Sequence, residues 1–200
     1  MRRVIIGIFM LVILTGNLSA QTMGTGLMDN FRFSRITEGT YSKYNLKLSE
    51  IQGSPYLDSK FIPGKITTNE GVVYADVPLR YNGYTDDLEF KKGDDSYNLD
   101  PKTIVRKAEF GGRVFSCLSY SENGKIKNGF FEILTEGKAT LAIRYTVKFL
   151  ERDEIKAFAE TKPARFEEAQ KEFYLTIENT PARIFSNKKK SARNVWRQEG

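Results

Sequence analysis

The amino-acid sequence predicts a mainly β protein, an antiparallel meander that forms a strongly curled sheet, a sandwich or a small barrel, with a short C-terminal helix. The first observation behind this prediction is the alternation of apolar and polar residues, which is typical of strands with one buried face. The second is the turn sequence that separates each alternating run from the next. So many short strands must conceal their edges, and a curled or closed sheet achieves this.

The clearest alternation lies between residues 139 and 149. Five apolar side chains are expected to face inward there, while Arg144 and Lys148 face outward or line a rim. These five residues are Leu141, Ile143, Tyr145, Val147 and Phe149. Weaker alternation predicts strands around residues 46–48, 66–68, 72–74, 77–81, 88–90, 104–110, 114–120, 130–135 and 172–177.

The segment DVPLRYNGYTDDLEF, residues 76–90, is predicted to be a β-hairpin. Pro78 cannot donate a hydrogen bond to a neighbouring strand, so its strand is expected to lie at an edge or to contain a bulge there. Asn82 and Gly83 tolerate the positive φ angles of a turn. Asp86 and Asp87 then end the loop before the second strand begins, and we expect their side chains to be solvated.

Two segments have helical features. Residues 163–170 begin with a proline, which suits the first position of one or two helical turns. Residues 188–196 form the predicted C-terminal helix, with Ser186 or Asn187 as its N-cap.

The first 20 residues have the features of a secretory signal, with two arginines, an apolar stretch and a cleavage site after Ala20. We expect a flexible lead-in (21–37), a single β-rich domain (38–187) and a basic tail (188–200) to follow. The only cysteine is Cys117, so the acylated cysteine of a lipoprotein is not expected. These features predict a periplasmic or extracellular protein.

The residue types that are absent restrict the chemistry. The chain has no histidine and one cysteine, which excludes Ser-His-Asp and Cys-His sites, histidine-based zinc sites and an internal disulfide. It has no glycine-rich nucleotide-binding motif and no metal-ligand spacing, so we expect no cofactor and no bound metal. Cys117 lies in a predicted strand and is interpreted as a small buried apolar residue. A binding function is therefore favoured over an enzymatic one.

The formal net charge of +6 does not indicate nucleic-acid binding. Residues 21–187 contain 24 basic and 24 acidic residues, so the body of the chain is neutral. The excess positive charge lies at the two ends instead of on one binding face. We therefore expect no nucleic-acid partner.

Acidic loop residues leave two alternatives open. The group Asp86, Asp87 and Glu89, or the group Asp94, Asp95 and Asp100, offers oxygen ligands that suit calcium, although neither spacing matches a known calcium loop. A pair of carboxylates is also the machinery of glycoside hydrolysis. Calcium binding and glycan hydrolysis therefore remain alternatives to solvated turns.

The C-terminal tail is the predicted contact surface. As a helix, it would place Ala192, Val195 and Trp196 on one side, flanked by basic residues. A basic face beside a tryptophan suits an anionic membrane surface, so a peripheral membrane contact is one interpretation, and a weakly docked tail is the other. The predicted contact residues are Lys188, Lys189, Lys190, Arg193, Trp196 and Arg197.

Four motifs combine into a recognisable signature: GSPYLD (53–58), KITTNEG (65–71), DVPLRYN (76–82) with LEF (88–90), and GFFEILTEG (129–137). Together they resemble a family of exported proteins from Gram-negative bacteria that has no assigned activity. The resemblance covers about residues 50–190. It implies export and a β-rich fold, and it implies no active-site residues.

These observations favour an exported, non-enzymatic β-domain that binds another cell-envelope component, either a protein or a glycan. The alternatives are a carboxylate-based enzyme acting on glycan or peptidoglycan, and a carrier whose curled sheet encloses an apolar ligand. A filled core with an exposed apolar edge would favour the binding module. A cleft with two facing carboxylates would favour the enzyme, and a deep apolar cavity would favour the carrier.

Overall fold

The computed structural model describes Ile36 and residues 46–152, 162–178 and 180–185. Ten strands form one antiparallel sheet that curls into a half-barrel, so the prediction of a mainly β fold with a curled sheet is confirmed. The strands are β1 (Ile62–Thr68), β2 (Val73–Asn82), β3 (Asp87–Lys92), β4 (Asp95–Asn98), β5 (Val105–Phe110), β6 (Arg113–Glu122), β7 (Lys125–Thr135), β8 (Ala139–Thr146), β9 (Phe149–Leu150), β10 (Arg165–Phe166), β11 (Gln170–Ile177) and β12 (Arg183–Ile184).

The order of strands across the large sheet is β12-β11-β8-β7-β6-β5-β1-β2-β3-β4. Two meanders therefore run in opposite directions from the central pair of β1 and β5, and β9 and β10 form a separate two-stranded sheet. Short turns at Gly111–Gly112, Asn123–Gly124 and Glu136–Gly137 each connect neighbouring strands. No helix in the described part of the chain is long and apolar enough to cross a membrane.

The predicted C-terminal helix, the signal sequence and the basic tail lie outside the described residues, as does the lead-in apart from Ile36. Ile36 donates a backbone hydrogen bond to the Ser96 carbonyl at 2.9 Å, next to the outermost strand β4. The signal sequence, the tail and the domain limits therefore remain predictions.

A first hydrophobic core fills the concave face of strands β1 to β8. Its central side chains are aromatic and aliphatic, and Tyr81 stacks on Phe115 with ring centroids 5.1 Å apart. The core is closed where the β2–β3 hairpin reaches the end of β8, because Val147 donates a backbone hydrogen bond to the Gly83 carbonyl at 3.0 Å. Its largest fully buried members are Tyr81, Phe90, Phe115, Phe130, Ile66, Leu79, Leu88, Leu99 and Val77.

A second core lies on the opposite face of strands β6 to β8. Tyr120, Phe131 and Tyr174 pack edge to face, with Phe131 and Tyr174 centroids 5.0 Å apart. Ala182 covers this core and closes it, because its amide donates to the Ser119 carbonyl at 2.8 Å and its carbonyl accepts from Ser121 at 3.1 Å. Ala182 thus pairs with β6, and the strand that follows it, β12, pairs with β11.

The two cores change the interpretation of β8. Ile143 and Tyr145 are buried in the first core as predicted. Ala142, on the face expected to be solvated, is also buried, because it belongs to the second core. Val147 lies beyond the end of β8 and packs in a third cluster, while Leu141 and Phe149 are half-buried. Arg144 lies towards the second core, and Lys148 is exposed as predicted.

The prediction of helical turns at residues 163–170 is wrong. Arg165 and Phe166 form strand β10, which pairs with Leu150 and Phe149 of β9. Burial of Phe166 explains the extended conformation, because its ring contacts the rings of Tyr84 and Phe149. The predicted strand at residues 46–48 is also incorrect, since Leu48–Glu50 form a 3₁₀ turn closed by the Glu50 side chain.

The predicted hairpin at residues 76–90 is confirmed, with a different turn. Residues 83–86 form the turn, and the residue with a positive φ angle is Asp86, at 58°, instead of Asn82 or Gly83. Pro78 lies on an inner strand opposite Pro63 of β1. The pairing of β2 with β3 begins only at Leu79, so no residue of β3 is opposite Pro78 and the missing N–H of the proline leaves no gap in that pairing.

Candidate functional site

Arg80 of the DVPLRYN motif and Glu89 of the LEF motif form a mostly buried cluster at the β2–β3 hairpin. Arg80 and Glu89 are directly opposite on the two strands, and their side chains form an ion pair with Nη2 and Oε2 2.5 Å apart. Asn82 donates to the other carboxylate oxygen, Oε1, at 3.0 Å. Only 2% of the Glu89 side chain and 14% of the Arg80 side chain are exposed. Both oxygens of the Glu89 carboxylate therefore have partners inside the protein.

Arg80 also organises the segment before β1. Its guanidinium carbon lies 3.5 Å from the centroid of the Tyr56 ring and 4.1 Å from that of the Phe61 ring. Its Nη1 donates to the Ser59 carbonyl at 3.2 Å. Stacking of this kind is favourable because the face of an aromatic ring attracts a cation. Arg80 thus binds the GSPYLD motif to the hairpin.

Asp86 connects the same hairpin to β7. Its Oδ1 accepts the backbone N–H of Phe130 at 3.1 Å and the hydroxyl of Tyr81 at 2.9 Å. Strands β7 and β8 pair only from Glu132 onwards, so Asp86 satisfies a β7 donor that β8 does not reach. A side chain at Gly129 would not fit, since a Cβ atom there would lie 2.7 Å from Asp86 Oδ2.

Lys102 completes this cluster. Its Nζ donates to the Asp86 carbonyl at 2.6 Å and lies 3.3 Å from Asp87 Oδ1 and 3.6 Å from Asp86 Oδ2. Burial raises the pKa of Asp86, and its effect exceeds the opposing effects of Lys102 and of the hydrogen bond from Phe130. Burial and the neighbouring Asp86 charge raise the pKa of the Tyr81 hydroxyl well above its ordinary value. Asp86 is therefore a buried acid held by partners from three separate parts of the chain, and the expectation that its side chain is solvated is wrong.

The arrangement holds the fold together and leaves little surface for chemistry. Glu89 is engaged by Arg80 and Asn82, and Asp86 by Tyr81 and the Phe130 amide. Asp94 lies in the turn before β4, and Asp95 is the first residue of β4. Within the described residues, no three Asp, Glu or Cys side chains converge on a position that could hold a metal ion.

Cys117 lies on β6 opposite Phe130 and is half-buried against the first core, although it was predicted to be buried. Burial raises the pKa of its thiol to about 11. Since the thiolate is the nucleophilic form, this environment disfavours attack by Cys117 at neutral pH.

An exposed apolar patch lies at the β11–β12 edge of the sheet, and sequence reasoning did not predict it. Phe173, Ile184 and Phe185 are 42%, 53% and 51% exposed. Phe173 and Phe185 are adjacent on one face of the sheet, because the Phe185 amide donates to the Phe173 carbonyl at 2.7 Å. Ile184, which is opposite Tyr174, lies on the other face of the same edge. Strand propensity alone gives no signal of exposure, because the same apolar residues occupy the core. We call these three residues the edge patch.

The contact residues predicted from the sequence, Lys188, Lys189, Lys190, Arg193, Trp196 and Arg197, lie outside the described residues. In the sequence they begin three residues after Phe185 of the edge patch. The chain matches no protein-family model, no curated protein and no solved structure.

Proposed function

We propose that this protein is an exported binding module that uses the edge patch to hold an extended segment of another cell-envelope protein. The observation that carries the proposal is the exposure of Phe173, Ile184 and Phe185 at one edge of a sheet whose two cores are filled. Exposed apolar side chains that lie together at an edge commonly mark an interaction site.

The geometry of the edge favours an extended partner. The Phe185 amide points towards β11, so the backbone groups of Ile184, one residue earlier, point away from β11, to the side on which Ala182 hydrogen-bonds to β6. An added strand would hydrogen-bond to such groups, and its side chains would contact the apolar residues on either face. Lys171 and Arg183 are exposed on β11 and β12, so an acidic residue in the partner would be favoured.

Export to the periplasm or the cell surface belongs to the same proposal, as does membership of the family suggested by the motifs. The arginines, the apolar stretch and the small residues before position 21 support export. The basic tail would add an attraction to anionic lipid near the bound partner. An enzymatic role has less support, because internal partners occupy the Asp86 and Glu89 carboxylates.

Binding of the purified chain to washed cell envelopes tests the proposal. We expect saturable binding that weakens about tenfold or more in Phe173→Ser/Phe185→Ser, because two partly buried aromatic side chains contribute roughly 1 kcal/mol each at an interface. Val73→Ser/Leu134→Ser is the matched control, since Val73 and Leu134 are 44% and 43% exposed elsewhere on the surface. Equal binding by all three proteins would refute the edge patch as the site.

A further inference from the structure

An open groove of about 550 Å³ lies along β6, on the side where β5 turns away. Strand β5 pairs with β6 only from Ala108 to Phe110, and its earlier residues pair with β1 alone. Ala182 occupies the same edge of β6 further along, at Ser119 and Ser121. The groove therefore lies over a stretch of β6 centred on Cys117 that neither neighbour covers.

A β-bulge lies beside the groove on each of two strands. The pairing of β5 with β1 shifts by one residue at Arg106, and the pairing of β7 with β8 shifts at Leu134. A bulge redirects the side chains beside it, and bulges are frequent next to binding sites. Arg106 lines the groove directly, and Glu136 lines it two residues after the second bulge.

The lining combines apolar and hydrogen-bonding side chains. Leu118 and Ile133 supply aliphatic surface, whereas hydroxyl and amide groups come from the side chains of Asn69, Thr103, Ser116, Ser119, Asn128 and Thr140. Ser119 donates to the Asn128 carbonyl oxygen at 2.8 Å, which leaves the Asn128 amide N–H groups directed elsewhere.

The charges of the groove balance. Arg106 and Glu136 supply one charge of each sign, and neither forms a salt bridge with another side chain in the described ranges. A strongly anionic polymer would gain little from such a lining, because nucleic-acid and polyanion sites carry a clear excess of positive charge. An apolar ligand would leave the hydroxyl and amide groups without partners.

We propose that this groove binds a neutral oligosaccharide. A sugar ring presents C–H groups on its faces, which suit the aliphatic side chains of Leu118 and Ile133, and hydroxyl groups on its rim, which suit Ser116, Thr140 and Asn128. The volume lies within the usual range for small-molecule sites, roughly 300–1,000 Å³. This inference goes beyond the proposed function, because it assigns a second site and does not depend on the edge patch.

Cys117 provides a reporter for this site, since it lines the groove and is the only cysteine in the chain. The rate at which a small uncharged maleimide labels Cys117 in the full chain would be measured at mildly alkaline pH, where more of the thiol is ionised. The measurement would be made with and without cellotetraose, and with and without tetra-N-acetylchitotetraose. We expect a bound tetrasaccharide to slow labelling in a saturable manner. Protection by both sugars would indicate recognition of hydroxyl groups, and protection by the acetylated sugar alone would indicate recognition of its amides.

Variants separate specific protection from a general effect on stability. Arg106→Ala/Asn128→Ala is expected to weaken sugar binding about tenfold or more, because the sugar loses its hydrogen bonds to both side chains. Arg183→Ala removes an exposed arginine outside the groove, so the sugar is expected to protect Cys117 in this variant as it does in the wild type. Backbone-amide chemical shifts of residues 116–119 provide a second readout, and they are expected to change with the same sugar.

Unchanged labelling rates and unchanged shifts with both sugars at millimolar concentration would overturn the proposal. Equal protection in Arg106→Ala/Asn128→Ala would also overturn it, because the sugar would then bind elsewhere. Phe173→Ser/Phe185→Ser is expected to retain full sugar protection. Its behaviour distinguishes failure of the groove from failure of the proposed edge site.

Discussion

Asp86, on the turn between β2 and β3, accepts the backbone N–H of Phe130 on β7, a residue 44 positions later in the chain. This hydrogen bond joins two motifs that are far apart in the sequence, DVPLRYN with LEF and GFFEILTEG. Gly129 leaves the space for Asp86, and Phe130 and Phe131 enter the two opposite cores. Arg80, Glu89, Phe130 and Phe131 of the signature therefore have structural roles that account for their residue types.

Replacement of Asp86 by alanine should destabilise the fold more than replacement by asparagine. Alanine leaves the Phe130 amide without an acceptor, which costs about 1–3 kcal/mol, and it leaves the Tyr81 hydroxyl with only the Tyr145 carbonyl at 3.3 Å. Alanine also tolerates the positive φ angle poorly, whereas asparagine adopts it and keeps an acceptor oxygen. Urea unfolding measures the difference, with Asp87→Ala as the control. Equal losses for the alanine and asparagine variants would exclude this role.

The pH dependence of stability should report the raised pKa of Asp86. The native protein holds this proton at a higher pH than the unfolded chain does, so the free energy of unfolding falls as the pH rises between the two pKa values. The stabilisation is complete below the unfolded value, about 3.9, and is lost as the pH passes the native one. Asp86→Asn lacks this contribution. The wild type should therefore lose stability relative to Asp86→Asn as the pH rises from acid to neutral. A wild type that gains stability relative to Asp86→Asn over this range would contradict the raised pKa.

Removal of one member of the Arg80–Glu89 pair should be more harmful than removal of both. Glu89→Leu leaves the Arg80 guanidinium mostly buried without its counter-ion, at a cost of about 3–5 kcal/mol. Arg80→Leu/Glu89→Leu should recover much of that loss, because no uncompensated charge remains. A double-mutant cycle from denaturant unfolding measures the coupling. Additive losses would show that the two side chains do not act as a pair.

Substitutions in β8 should reveal the two cores. Ile143→Ala is expected to cost about 2–5 kcal/mol in the first core, whereas Thr146→Ala should cost much less. Ala142→Leu is expected to cost about 1–3 kcal/mol, because the second core has no room for a larger side chain. A neutral Ala142→Leu in thermal or denaturant unfolding would mean that the second core is not closed.

The basic tail should bind anionic lipid in a salt-dependent manner. The five basic residues between 188 and 200 are expected to increase co-sedimentation of the chain with anionic vesicles at low salt, and screening should remove the effect at high salt. Deletion of residues 188–200 provides the comparison. A full chain that stays in the supernatant at low salt would exclude the membrane contact.

The sequence predicted the strands well because alternation reports directly which side chains are buried. It could not predict two cores, since alternation assigns one inward face, and both Ala142 and Ile143 are buried. The pairing of Arg80 with Glu89 could have been inferred, because the hairpin places these opposite charges directly across from each other. The role of Asp86 could not, because it depends on a contact between distant strands.

The prediction of helical turns at residues 163–170 was wrong for a related reason. A proline at a possible first helical position is a local signal, and tertiary packing overrode it when Phe166 became buried beside Phe149. The edge patch was also beyond sequence reasoning, because Phe173 alternates in the same way as buried residues of β8 and differs from them only in having no covering layer.

Arg80 and Glu89 are engaged inside the protein, whereas the edge patch is the proposed contact surface. Binding to washed cell envelopes separates these two roles when Arg80→Leu/Glu89→Leu is compared with the wild type and with Phe173→Ser/Phe185→Ser, and circular dichroism establishes that each protein is folded. We expect the folded Arg80→Leu/Glu89→Leu protein to bind like the wild type and the edge variant to bind about tenfold or more weakly. Loss of binding in the folded Arg80→Leu/Glu89→Leu protein, with full binding by the edge variant, would contradict both roles.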